Sequence, residues 1–208
     1  MSKPNDIGLV NAKEVAKAIQ LDKYGFIGTF IGWLLMKVLK ISTLNKFYKK
    51  HKHLKDIDFL DSILDEFKIK FEIPEEDLKR LPKEGAYITV SNHPLGGIDG
   101  ILLLKLMLEQ RDDFKIIANF LLHRIAPLKP YIMPVNPFED RKDVKSSIAG
   151  FKNSILHLRD GHPLGLFPAG EVSTYKDGKL VVDKPWEEAA MKLVKKAEVP
   201  VVPIYFHA

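Results

Sequence analysis

From about residue 57 onward, apolar helical stretches alternate with short runs rich in β-branched residues, and this order constrains the fold more than any other feature. Strands separated by helices are joined by crossovers, so they lie mostly parallel in one sheet with helices over its faces. The expected strands are 86–91, 114–118, 131–135, 164–167 and 199–206, and the expected helices 56–67, 98–110, 143–159 and 185–197. Pro185 suits the first turn of the last helix. At 208 residues and 46% hydrophobic composition, the chain can bury one sizeable core. The expected fold class is α/β, a mixed, largely parallel central sheet flanked by helices, with an amino-terminal helical membrane-contact segment. The sequence stops just after its last strand-like run, as expected if a carboxy-terminal portion were missing.

The amino-terminal 55 residues differ in charge from the rest. They hold 11 Lys and Arg against 3 Asp and Glu, whereas the remaining residues hold 21 against 24. Residues 11–23 have helical composition, and Tyr24 to Met36 then run for 13 residues without a charge. As a helix that run covers about 20 Å, short of the roughly 30 Å hydrocarbon core. Lys23, Lys37 and Lys40 can snorkel, Trp33 suits the headgroup level, and the Lys49–Lys55 cluster suits anionic lipid. We therefore expect residues 1–55 to form a membrane-associating segment, peripheral or re-entrant, and residues 56–208 the main domain. The same run also suits a buried helix in which Gly28 and Gly32 permit close approach. Nucleic acid is not an expected partner, since no base-stacking aromatic pattern accompanies the basic residues. Cysteine is absent, which excludes disulfides, thiolate metal sites and a cysteine nucleophile. The polar start does not read as a signal peptide, so a cytoplasmic location is expected.

Two loops carry the chemistry. Ser91-Asn92-His93-Pro94-Leu95-Gly96-Gly97-Ile98-Asp99-Gly100 and Phe167-Pro168-Ala169-Gly170-Glu171-Val172-Ser173 each follow a strand-like run. In α/β proteins such loops open onto the cleft where ligands bind. A turn at Pro94, Gly96 and Gly97 can fold the Asp99 carboxylate back onto His93. The carboxylate would fix the imidazole tautomer and leave the second ring nitrogen to take a proton from a substrate hydroxyl. The same pair also suits a plain turn or helix-cap arrangement. One His and one Asp fall short of a metal site, so no metal is expected. No Gly-x-Ser-x-Gly elbow occurs, which leaves a covalent seryl intermediate without support. His51, His53, His123, His157, His162 and His207 lack a comparable setting and are expected to be structural or solvated.

The ordered set Asn92-His93 with Asp99-Gly100, Arg141 within Pro137-Phe138-Glu139-Asp140-Arg141, Phe167-Pro168-Ala169-Gly170-Glu171, and Val202-Pro203-Ile204 resembles the glycerolipid and lysophospholipid acyltransferase superfamily. It looks closest to the hemolysin-like bacterial branch. The resemblance covers about residues 85–206 and implies O-acyl transfer from an acyl-CoA or acyl-carrier-protein thioester to a lyso-lipid hydroxyl. It places the work at the cytoplasmic face of the cell membrane, with no bound cofactor. By motif match, His93 would be the base and Asp99 its orienting partner. Gly96, Gly97 and Gly170 would offer backbone oxyanion donors, and Arg141 would hold an acceptor phosphate or carboxylate. Phe167, Pro168 and Glu171 would complete the substrate site, with Glu171 reading an ammonium or hydroxyl.

The sequence departs from that family in two informative places. Five residues separate His93 from Asp99 where the family has four, so the loop must absorb one more. The third block, commonly Phe-Pro-Glu-Gly-Thr-Arg-Ser, here has Ala169, Glu171 and Val172 at its Glu, Thr and Arg positions. The lost cation makes lysophosphatidic acid a less secure acceptor and raises a lyso-amino-acid lipid, which carries a carboxylate, as a competitor. A non-catalytic lipid-binding module and a thioester or lysolipid hydrolase are the alternative expectations.

Overall fold

A computed structural model describes residues 8–135, 144–176 and 180–207. The chain separates into two compact units, Met1–Lys55 and Asp56–Ala208.

The first unit holds α1 (Ala12–Ala18), α2 (Phe26–Val38) and α3 (Ile41–His51). A capping box between Asn11 and Glu14 starts α1. The helix expected over residues 11–23 stops early, because Gln20 adopts left-handed backbone (φ 59°) and a 3-10 turn, Asp22–Tyr24, follows. Gly28, Gly32 and Met36 recur every four residues along α2 and are buried. A Cβ on Gly28 would lie 1.9 Å from the Leu21 carbonyl oxygen, and one on Gly32 would lie 2.2 Å from that of Ala12. The glycine stripe is therefore where the backbone of α1 and its following turn cross α2. Away from that stripe Phe26, Ile27, Phe30, Trp33, Leu34 and Val38 are exposed, with Lys37 Nζ 4.1 Å from the Trp33 ring centroid. Lys40 (φ 55°) ends α2, and α3 leaves at 76°. Among the described residues no single helix is long and apolar enough to cross a membrane; α2 and α3 meet that length and composition only as a bent pair.

The second unit runs α4 (Asp56–Glu66), α5 (Glu75–Arg80), β1 (Ile88–Ser91), α6 (Gly97–Leu108), β2 (Lys115–Asn119) and β3 (Ile132–Val135). It continues with α7 (Val144–Arg159), β4 (Leu164–Leu166), β5 (Thr174–Lys176), β6 (Leu180–Val182), α8 (Glu188–Ala197) and β7 (Val201–Ile204). Five strands form one sheet in the order β3-β2-β4-β1-β7, and each pairing is parallel. β1 lies between β4 and β7, in register Val90↔Leu166 and Val90↔Pro203, and all four of its residues are buried.

Alternation along β1 and β4 sorts the core into two layers. Ile88, Val90, Leu164 and Leu166 pack with Ile155 and Leu158 of α7 and Leu193 of α8. Thr89 and its register partner Gly165 face the other way. A Cβ on Gly165 would lie 2.6 Å from Phe114 Cζ, 3.0 Å from Thr89 Oγ1 and 3.3 Å from Leu103 Cδ2, so α6 beds directly on the sheet there. Lys105 Nζ then joins α6 to Asp61 of α4 at 2.8 Å. Leu103 and Met107 are fully buried on α6, and truncating either to alanine would cost about 2–5 kcal/mol. This packing fixes the first turn of α6, where Asp99 sits.

Besides α1, which is shortened, and α5, which no expected helix covers, two elements differ from the sequence expectation. Pro185 is not in a first turn: the Glu187 N–H donates to the Pro168 carbonyl at 2.8 Å, which holds the approach extended, and α8 begins at Glu188. The antiparallel β5–β6 hairpin was not expected, since its strands are three residues each and the residues of β5 are all exposed.

Candidate active site

Because the strands are parallel, β1, β4 and β7 all end on the same edge of the sheet, and the chain leaves each with a segment of the site. Asn92 and His93 follow β1, the Phe167–Ser173 loop follows β4, and Tyr205 and Phe206 follow β7. Asn92 ties the first to the third: its Nδ2 donates to the Phe206 carbonyl at 2.8 Å and its Oδ1 accepts from the Phe206 N–H at 2.7 Å. The His93 ring stacks on Phe167 with centroids 4.0 Å apart and 19° between planes, and Phe167 in turn meets Phe206 at 6.3 Å.

The structure brings His93 and Asp99 together, with His93 Nδ1 3.0 Å from Asp99 Oδ2. Gly96 takes left-handed backbone (φ 64°), which lets the loop turn into the first turn of α6. Asp99 Oδ2 also accepts the Leu95 N–H at 2.8 Å, so one carboxylate oxygen both closes the turn and holds the imidazole. Asp99 is fully buried, and its Oδ1 is without a hydrogen-bond partner among the described residues. The Leu95 N–H and the first turn of α6 lie against this carboxyl group. With the carboxylate as acceptor the proton sits on Nδ1, and Nε2 presents a lone pair. The His93 side chain is 18% exposed.

Gly97 opens α6, and N–H groups of a helix's first turn lack intrahelical acceptors, which makes them candidates for stabilising an oxyanion. Gly170 (φ 68°) turns the second loop, but its N–H already donates to the Phe167 carbonyl at 3.0 Å. A Cβ at Gly96 would meet Val172 Cγ2 at 3.3 Å, so the two loops lie against each other. Ala169 is buried, and the Pro168 carbonyl anchors Glu187. Glu171 forms an ion pair with Lys184, just beyond β6. Arg141 lies outside the described residues. Among those residues no group of three His, Asp or Glu side chains gathers as metal ligands would.

Sequence reasoning missed Asp183. Its Oδ1 accepts from the His93 N–H at 3.3 Å and from the Ser173 hydroxyl, and the Ser173 N–H donates to the His93 carbonyl at 2.9 Å. No local signal marks a residue 90 positions from its partner; only the hairpin brings it back.

The family model described as acyltransferase matches residues 14–208. The chain is 29% identical over 201 residues to a lyso-glycine lipid O-acyltransferase of Bacteroides thetaiotaomicron, an overlap covering 95% of this chain and 70% of that protein. It is 29% identical over 205 residues to a lyso-glycine lipid O-acyltransferase of Phocaeicola vulgatus, covering 97% and 70% respectively.

Proposed function

Since the chain belongs to the acyltransferase family and is an acyltransferase, we propose that it moves a fatty acyl group from an acyl thioester to the hydroxyl of a lyso-lipid. The single observation that carries the mechanism is the 3.0 Å contact from His93 to a fully buried Asp99 at the carboxyl edge of the sheet. His93 Nε2 takes the acceptor hydroxyl proton as the oxygen attacks the thioester carbonyl. The C–O bond forms, the carbonyl π electrons move to oxygen, and α6 amides around Gly97 face the oxyanion. Collapse breaks the C–S bond, and the thiolate leaves with the proton from Nε2. Asp99 holds the ring and balances the imidazolium. The donor is an acyl-CoA or an acyl-carrier protein. The order of the four blocks supports placement in the hemolysin-like branch.

For the acceptor, a lyso-amino-acid lipid is favoured over a lysophospholipid. The names of both relatives support it, as does Val172 at the position where the family carries a cation. Lys184, ion-paired with Glu171, would exchange that partner for an acceptor carboxylate. Arg141 would add a second cation. Such an acceptor is membrane-borne, and the exposed Phe26, Ile27, Phe30 and Val38 of α2, with the basic end of α3, fit an anionic membrane surface at its cytoplasmic face.

The test is thiol release from acyl-CoA and from acyl-carrier protein with lyso-glycine lipid, lysophosphatidic acid or no acceptor, comparing the native chain with His93→Ala. Acceptor-dependent release, lost in the variant, is expected; equal release without acceptor would replace transfer by hydrolysis. Retention on anionic vesicles in a flotation gradient, lost in Ile27→Asp/Phe30→Asp, tests the membrane reading. An intact chain that stays at the bottom of the gradient would sink it.

A further inference from the structure

We infer that Asp183 is a positioning residue for His93, acting through the β5–β6 hairpin. The argument starts where the sheet ends. β1 pairs with β4 up to Val90 and with β7 up to Ser91, so two residues later the His93 N–H and C=O have no strand to bond to. A loop histidine with both backbone groups unpaired would swing with its loop, and a proton transfer loses efficiency steeply when the base is misplaced. Both groups are paired here, and the two partners bracket a single hairpin. Ser173, just before β5, donates its N–H to the His93 carbonyl at 2.9 Å. Asp183, just after β6, accepts the His93 N–H at 3.3 Å. The ends of the hairpin are joined to each other as well, because the Ser173 hydroxyl donates to the same Asp183 oxygen.

An isolated two-stranded hairpin, here with every residue of β5 exposed, has little stability of its own, so these bonds place the hairpin as much as the hairpin places His93. Three fixings then act on one residue: Asp99 on ring nitrogen Nδ1, Phe167 on the ring face, and Asp183 with Ser173 on the backbone. Asp183 does not touch the imidazole in this arrangement. Its contribution is the acceptor oxygen, which an asparagine side chain also carries.

The inference rests on the acyl-transfer reading for its kinetic consequence, and one readout is independent of activity. Four variants are compared with the native chain: Asp183→Ala, Asp183→Asn, Ser173→Ala and the Asp183→Ala/Ser173→Ala pair. Hydrogen exchange at the His93 amide is followed by mass spectrometry, alongside kcat and KM for thioester and acceptor. Asp183→Ala is expected to expose the His93 amide to exchange and to lower kcat about ten- to a hundredfold with the donor KM near native. Asp183→Asn restores protection and most of kcat. The two substitutions of the pair combine less than additively, since both act at one oxygen. Native protection and turnover in Asp183→Ala would overturn the inference, and so would Asn behaving as Ala, which would assign the effect to charge. If Asp183→Ala does not fold, Ser173→Ala decides: partial loss of His93 amide protection is expected once the hydroxyl that holds the Asp183 oxygen is gone, and native protection would overturn the inference. A native chain without acyl transfer would sink the functional reading while leaving the exchange result to judge Asp183.

Discussion

The sheet holds a histidine against an aspartate at both of its ends, and the surroundings of the two pairs differ. At the carboxyl end, His93 meets Asp99 at 3.0 Å, and Asp99 is fully buried and accepts the Leu95 N–H. At the amino end, His162 Nδ1 meets Asp113 Oδ2 at 2.7 Å, but Arg111 grips the same carboxylate through two nitrogens at 2.9 and 2.7 Å. Arg111 also donates to the carbonyls of Gly85 and Gly161, so one guanidinium gathers the segments that enter β1, β2 and β4. Nearby His157, buried in α7, meets the Pro163 carbonyl through Nε2 at 3.1 Å. The comparison teaches that a His–Asp contact alone carries no chemistry. What counts is whether a fixed cation already occupies the carboxylate and whether the free ring nitrogen opens toward a ligand-binding edge.

Exchanging each histidine for alanine should separate the ends most widely. Acceptor-dependent transfer should fall about 10²–10⁴-fold in His93→Ala and stay near native in His162→Ala, as read from initial rates. Comparable losses in both would abolish the distinction.

Arg111→Ala should come next, lowering the unfolding free energy by about 2–4 kcal/mol in urea titrations while kcat of the folded fraction holds. A loss of kcat at unchanged stability would show that the amino end serves the chemistry directly.

Acid should act on the amino end in two stages. Burial, partly countered by the Pro163 carbonyl, holds His157 below its ordinary 6.5. The unfolded chain therefore binds that proton more readily, and stability starts to fall as pH drops below about 6.5. Burial pushes Asp113 upward, but hydrogen bonds from Arg111 and His162 outweigh it and hold the carboxyl below its ordinary 3.8. Its contribution is present above that value and is lost as pH falls through the lowered one. His157→Gln should remove the first stage and keep the second, as followed by thermal midpoints across pH; an unchanged upper stage would assign it to another group.

The smallest effect belongs to the carboxyl end. Lys184→Glu should raise the KM for a carboxylate-bearing acceptor a few-fold, with the donor KM unchanged. A matching rise for an acceptor whose carboxylate is esterified would remove Lys184 from acceptor recognition.

Much of the carboxyl end was legible because its information is local. His93, Gly96 and Asp99 lie within one turn of each other, and the runs before them are apolar enough to mark β1 and β4 within one or two residues. The hairpin was not legible, since Thr174, Tyr175 and Lys176 are all exposed and show no alternation of burial. With it went Asp183, whose partner is distant in sequence. The amino-end clamp was missed for a similar reason: His157 and His162 have ordinary neighbours in sequence, and Arg111 acts by reaching carbonyls that no side-chain pattern records. In the first unit, the charge-free run gave α2, whereas the left-handed residues Gln20 and Lys40 that divide its neighbours carry no glycine to announce them.

The strand order has a bearing on how the molecule comes into being. β1 and β2 are consecutive strands in the chain, yet β4 lies between them, so their crossover must leave open a slot about 10 Å wide until a much later segment arrives. Loop-closure entropy makes such late insertion slow relative to local helix formation. His93 is made early and Phe167 late, and the ring that stacks on the imidazole rides in on the strand that fills the slot. A growing polypeptide is thus a helical scaffold with a vacant centre, and its loop imidazole finds its aromatic partner only as the centre closes.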